Sequence, residues 1–416
     1  MSDRFKQTQV YFDKNSTGSI SISQLMELVI GHPYEADIKK SFNTDKIATE
    51  RIIVENIDKM YSRLKSIKQN YRCYALKAYS KDVVFSRGDK KVDGIGNVNP
   101  LIFNFTEYID GDGELLKNFK AYAIYDSKSR YFEDFSMSKY ANMLFDNSLD
   151  ELAELNLNYF RNLSSVSDDF NKHQSYRIVE HKGEHFVRGI TSLLYKEYGV
   201  DFSFVTAMLM LHKHMKENLG NNYCITYAAL NESKLEMIIT SDKAKKAGDF
   251  GMVRSAISVK TNDLGAGALT FTNIVRLDVK GNGIYLYPTS KDVAKKDVSI
   301  NHGRTNAKTA LDLLSKAEDF YGFIDYFIKE LSEIKSIKTP EELRKRVLVR
   351  ITNPNSSLKS VASDLTDLFK NPIKDMVTDF AKFLDMCRKA EELDIDYDLK
   401  DKLRVIISEV LLSGRK

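Results

Sequence analysis

The chain has 416 residues, 43% of them hydrophobic and 11% aromatic, which supports roughly two or three domains with buried cores and excludes a disordered chain. Its 62 basic and 58 acidic side chains leave a net charge of +4, so a basic site has to be local. Cys73, Cys224 and Cys387 lie far apart without paired spacing, which excludes a zinc ribbon and a disulfide framework and fits a reducing cytoplasm.

The opening MSDRFKQTQVYFDK lacks the apolar stretch of a signal peptide, and no apolar run is long enough for a membrane span. An intracellular protein without a membrane partner is expected. From Thr49 to Ile67, apolar Ile52, Ile53, Ile57, Met60, Tyr61, Leu64 and Ile67 recur at helical spacing, which predicts an amphipathic helix. YRCYALKAY, LIFNFTEYI and KAYAIYD then read as strands separated by Gly-rich turns. The segment 148–173 turns from helical to polar and ends an N-terminal α+β region, 1–172.

A central antiparallel β-rich core, 173–304, is expected next. YRIVEHKGEHFVRGIT predicts a hairpin around Lys182-Gly183, and the apolar run from Phe204 to Leu211 predicts a helix buried on all sides. YCITYAAL and KLEMIIT read as further strands. Val253, Ile257 and Val259 alternate with polar residues, as do Leu269, Phe271, Val275, Leu277 and Val279, so an antiparallel meander follows. Its opposite face carries Arg254, Lys260, Arg276 and Lys280, with Tyr285 and Tyr287 beside them on a third strand. Arg304 and Lys308 lead into the helical C-terminal region, 305–416, where TPEEL is a capping box with Thr339 at the N-cap, Pro340 at the first helical position and Glu342 at N3. The fold class is therefore α+β, a central antiparallel sheet with flanking helices and an all-helical C-terminal part.

Cationic side chains interleaved with rings on a sheet are what a single strand of nucleic acid uses, so the expected site is a wet basic face of Arg254, Lys260, Arg276, Lys280, Tyr285, Tyr287, Arg304 and Lys308. GAGALT lacks the third glycine of a dinucleotide loop and leads into a strand, so Gly265 and Gly267 read as turn residues. HKGEH, from His181 to His185, matches a zinc-peptidase pattern in letters, but that chemistry needs a helix and these residues flank a turn. No elbow serine and no Cys with a neighbouring His appears. No cofactor, metal or catalytic residue is expected.

RGITSLLY, from Arg188 to Tyr195, and TNDLGAGAL followed by VRLDVKGNG are similar to motifs of a phage- and plasmid-like protein family of unknown function. The pattern is R-[AG]-x-x-S-x-x-Y, then S-x-x-x-G-x-G-x-L and a strand ending R-L-x-C-T-N-G. The chain departs from it in having Thr261 for Ser, Val279-Lys280 for Cys-Thr and one extra residue before Asn282. NHGR, from Asn301 to Arg304, resembles the family's His-containing segment. The resemblance covers about Tyr176 to Leu314 and implies residence on a bacteriophage or mobile element, in the cytoplasm of a bacterial host, with no established reaction. The expected function is that of a noncatalytic DNA-associated protein, single-stranded or displaced DNA being the favoured partner. Two alternatives stand beside it. One is a phage structural or host-protein-interacting protein, a homo-oligomer included, acting through its C-terminal helices. The other is a metal-dependent hydrolase at His181, Glu184 and His185.

Overall fold

The computed structural model describes residues 5–12, 17–88, 101–164, 171–218, 220–265, 267–289, 297–303, 309, 311–312, 324–370 and 376–412. Strand β1 (Thr8–Tyr11) is followed by β2 (Ser19–Ser21), α1 (Ile22–Met26), α2 (Glu35–Phe42), β3 (Arg51–Ile53) and α3 (Ile57–Asn70). Ser21 caps α1 by accepting from the Gln24 backbone N–H. The helix predicted from Thr49 begins only at Ile57. Residues 51–53 are extended because Ile52 pairs with Ile20 on β2. Ile52 is buried and Ile53 is 68% exposed, a period of two within a stretch that also fits a helix.

The chain then builds β4 (Arg72–Tyr79), β5 (Val83–Arg87), β6 (Leu101–Ile109), β7 (Leu115–Ala123), helices α4 (Ser127–Glu133), α5 (Ser138–Asp146) and α6 (Asp150–Ser164), and the hairpin β8 (His173–His181) to β9 (Glu184–Ser192). Strand β4 runs against β8, β8 against β9, β9 parallel to β7, and β7 against β6. The Lys77–Ile109 pair returns β6 to β4 and closes a ring, with β5 added on β6. The order, with its helices between the third and fourth ring strands, is that of the Greek-key OB barrel. Alternation fills the ring: Leu76, Phe103, Phe105, Ala121, Tyr176 and Ile178 point inward, and Tyr131, Phe132, Phe135 and Leu157 from α4 to α6 pack against them. The Lys182–Gly183 turn has positive φ at both residues, 54° and 77°, as a primed hairpin turn requires. The barrel thus takes strands from both sides of position 172.

A second sheet follows α7 (Gly199–Glu217). It contains β10 (Tyr223–Leu230), β11 (Lys234–Lys246), β12 (Met252–Asn262), β13 (Leu269–Val279), β14 (Asn282–Leu286) and β15 (Val298–Ile300). Its order is β1-β10-β11-β12-β13-β14, with β15 on β13, all antiparallel. The N-terminal strand therefore edges the central sheet. Helix α7 is buried continuously from Phe202 to His212 between this sheet and the N-terminal elements.

Helices α8 (Ile324–Ile337), α9 (Pro340–Thr352), α10 (Ala362–Phe369), α11 (Phe380–Glu391) and α12 (Tyr397–Leu412) complete the α+β architecture. The Thr339 hydroxyl accepts from the Glu342 backbone N–H and the Glu342 carboxylate accepts from the Thr339 N–H, so the predicted capping box is present. Phe327, Leu331, Val347, Leu384 and Leu411 pack onto Val253, Val275 and Leu277 of the meander. No described helix is long and apolar enough to cross a membrane.

Candidate nucleic-acid interface

The meander forms as its alternation predicts. Arg254 lies opposite Arg276, and Arg276 opposite Tyr285, so these side chains share one face. That face is covered. Arg254 and Arg276 both donate Nε–H to Asp278, at 2.9 Å each. Lys260 pairs with Asp401 of α12 and stands 4.7 Å from the centre of the Tyr287 ring. Tyr285 donates to the Thr226 hydroxyl at 2.9 Å, and Tyr287 to Asp401 at 2.5 Å. Both rings are buried against Tyr397. Lys280 pairs with Asp385 of α11 at 3.4 Å and is the one of these four cations left mostly in solvent, 65% exposed. The expectation of a wet basic face is corrected here: α11 and α12 dock on it, and its cations meet their acids or ring partners. Arg304 and Lys308 lie outside the described residues.

At the zinc-like motif the hairpin puts the imidazoles on opposite sides. His181 stacks on Tyr71 with centroids 4.5 Å apart and 17° between planes, whereas His185 meets Phe119 edge-on at 5.0 Å. Among the described residues no cluster suited to a metal ion occurs.

The barrel offers what the meander does not. On β4, Lys77 and Tyr79 sit two residues apart and point outward, both exposed. Tyr79 stacks on His173, its register partner on β8, with centroids 4.4 Å apart and 14° between planes. Lys81 places Nζ 5.7 Å from the centre of the Tyr79 ring. Lys172 is half exposed, its Nζ 3.8 Å from the buried Asp134. Backbone fixes this arrangement, because Ser80 donates N–H to the Lys172 carbonyl at 2.9 Å and so ties the end of β4 to the start of β8. The ring of Tyr79 remains 43% exposed. The sequence shows Lys77, Tyr79 and Lys81 at strand-like spacing, but nothing local links them to His173.

Where the barrel meets the second sheet, a cleft of about 530 Å³ is lined by His32, Tyr34, Arg177, Glu197, Asp201 and Glu232, among others. Glu197 accepts from Arg177 at 3.0 Å and from Arg188, which is fully buried. Burial works to raise the Glu197 pKa, but Arg188 and Arg177 outweigh it and hold it below the usual range. Burial raises Asp201 and Glu232. It lowers His32. Behind them Asp263 accepts the Gly199 N–H at 3.0 Å, and burial with Glu197 nearby pushes it up to about 7. Perturbed acids in a cleft are a signature of chemistry and equally of structural ion-pair networks. Here Glu197 is engaged by guanidinium groups, Asp201 Oδ1 accepts the Phe202 N–H, and Arg188 also donates to the Ser233 hydroxyl between β10 and β11 at 2.9 Å, so the cluster fastens barrel to sheet. It also brings together two segments distant in sequence, since a Cβ on Gly189 would stand 2.9 Å from the Leu264 carbonyl oxygen and one on Gly265 would stand 2.9 Å from Thr191 Cγ2.

No known protein family matches this chain, nor does any curated protein or solved structure.

Proposed function

We propose that the protein binds single-stranded nucleic acid on the outside of its barrel, with Tyr79 and His173 as a stacking platform and Lys77, Lys81 and Lys172 facing the phosphates. The observation that carries this reading is the exposed Tyr79–His173 stack flanked by lysines. The exposed part of the Tyr79 ring can stack on a base whatever the base's identity, and each stacked base contributes about 1–3 kcal/mol. The strand order supports the reading by analogy only, since folds host many functions. The motif resemblance around Arg188 and Gly265 supports DNA of a bacteriophage or mobile element as the polymer.

Three lysine–phosphate pairs would give log affinity a slope against log salt of about −2, at about 0.7 per pair for single strands. Anisotropy of a labelled oligo(dT) titrated at several salt concentrations tests this. Tyr79→Ala is expected to weaken binding about tenfold or more, and Lys77→Glu with Lys81→Glu to flatten the salt slope. Binding that ignores both changes, or none at low salt, refutes the proposal.

A further inference from the structure

The geometry points to a second site: we propose that the cavity beside the β13–β14 hairpin binds a small oxyanion, a phosphate or carboxylate group held by Arg276. The cavity measures about 340 Å³ and is lined by Tyr11, Phe12, Arg276, Tyr285, Arg388 and Glu391, among others. It is separate from the barrel interface and does not depend on that reading.

Arg276 is only 6% exposed, yet its hydrogen bonding is incomplete. Nε donates to Asp278 at 2.9 Å, and among the described residues the terminal nitrogens meet no hydrogen-bond acceptor. The Arg276 guanidinium lines the cavity, so an acceptor that enters it meets an open donor fork. The acids nearby are engaged. Both Glu391 oxygens accept from Arg404, Nε standing 2.8 and 3.1 Å away. Glu392 Oε1 accepts from Arg388 at 2.5 Å and from Asn282 at 2.6 Å. Asp278 serves two guanidinium groups, Arg254 and Arg276, so that group of three carries an excess positive charge. An oxyanion supplies what is lacking, two oxygens in a plane matching the fork and a compensating charge.

The sequence makes room for this arrangement. A Cβ on Gly283 would stand 2.7 Å from Arg276 Cγ and 2.9 Å from its Cδ, so the glycine lets the arginine lie across β14 into the cavity. Gly283 does not have the positive φ of Lys280 and Gly281 in the adjacent turn, so alanine suits its backbone and conflicts only with the arginine.

The test is calorimetric titration with sodium phosphate and with sodium acetate at ionic strength matched with sodium chloride. It compares the full chain with Gly283→Ala and Arg276→Lys, near-ultraviolet circular dichroism verifying that each is folded. A saturable single site is expected for phosphate, acetate or both, weakened about tenfold or more in each folded variant because the fork is displaced or lost. Phosphate-selective binding identifies a phosphorylated ligand and acetate-selective binding a carboxylated one. Absence of a saturable site for both anions, or affinity unchanged in a folded variant, overturns the proposal.

Discussion

Arg404 of α12 donates Nη1–H to Glu236 of β11 at 2.7 Å, with both side chains sealed from solvent. The same guanidinium serves Glu391 and lies between the Tyr227 and Tyr285 rings, 4.9 and 5.1 Å from their centres. This contact seats the C-terminal helices on the sheet. Removing one member of a buried ion pair strands the others, so Arg404→Leu should cost about 3–5 kcal/mol in urea unfolding. Replacing Arg404, Glu236 and Glu391 together with apolar residues of similar volume should cost much less, because no charge is left buried alone.

Gly189 of β9 and Leu264 meet at the junction of barrel and second sheet. Alanine at 189 would push against a backbone carbonyl, which cannot rotate away as a side chain can. Gly189→Ala should therefore destabilise by about 1–3 kcal/mol, measured by the denaturation midpoint.

Asp263 sets a pH dependence. Its folded pKa is pushed up to about 7 from the ordinary aspartate value of 3.8 by burial and Glu197, against the pull of Arg188 and Arg177, with Asp201 also raising it. The neighbouring His302, its Nδ1 3.8 Å from the carboxylate, is lowered by burial. The folded state therefore holds a proton that the unfolded chain releases between these values. The stability contribution is complete below the lower value and lost as pH rises through about 7. Melting temperature should fall between pH 5.5 and 8, and Asp263→Asn, which keeps an acceptor for the Gly199 N–H, should flatten that fall. An equally steep fall in the variant assigns the dependence to other groups.

Much of the fold was legible because short-range signals agreed with the tertiary outcome. The Lys182–Gly183 turn, the buried front of α7, the meander and the Thr339 cap each follow from neighbouring residues. Alternation also put Arg254, Arg276 and Tyr285 on one face correctly. It could not reveal what covers them, since Asp401 and Arg404 lie more than a hundred residues away and an amphipathic strand looks alike against water and against a polar helix. The Tyr79–His173 stack was hidden for the same reason. Register between β4 and β8 is fixed by barrel closure, which no local pattern encodes.

Lysine footprinting locates the nucleic-acid face, with acetylation rates compared in the presence and absence of a saturating single-stranded oligonucleotide. Protection of Lys77, Lys81 and Lys172 is expected, while Lys260, held between Asp401 and the Tyr287 ring, reacts slowly in both conditions. Rapid modification of Lys260 in the free protein and its protection by the oligonucleotide, with Lys77 and Lys81 unaffected, would contradict it and return the binding face to the meander.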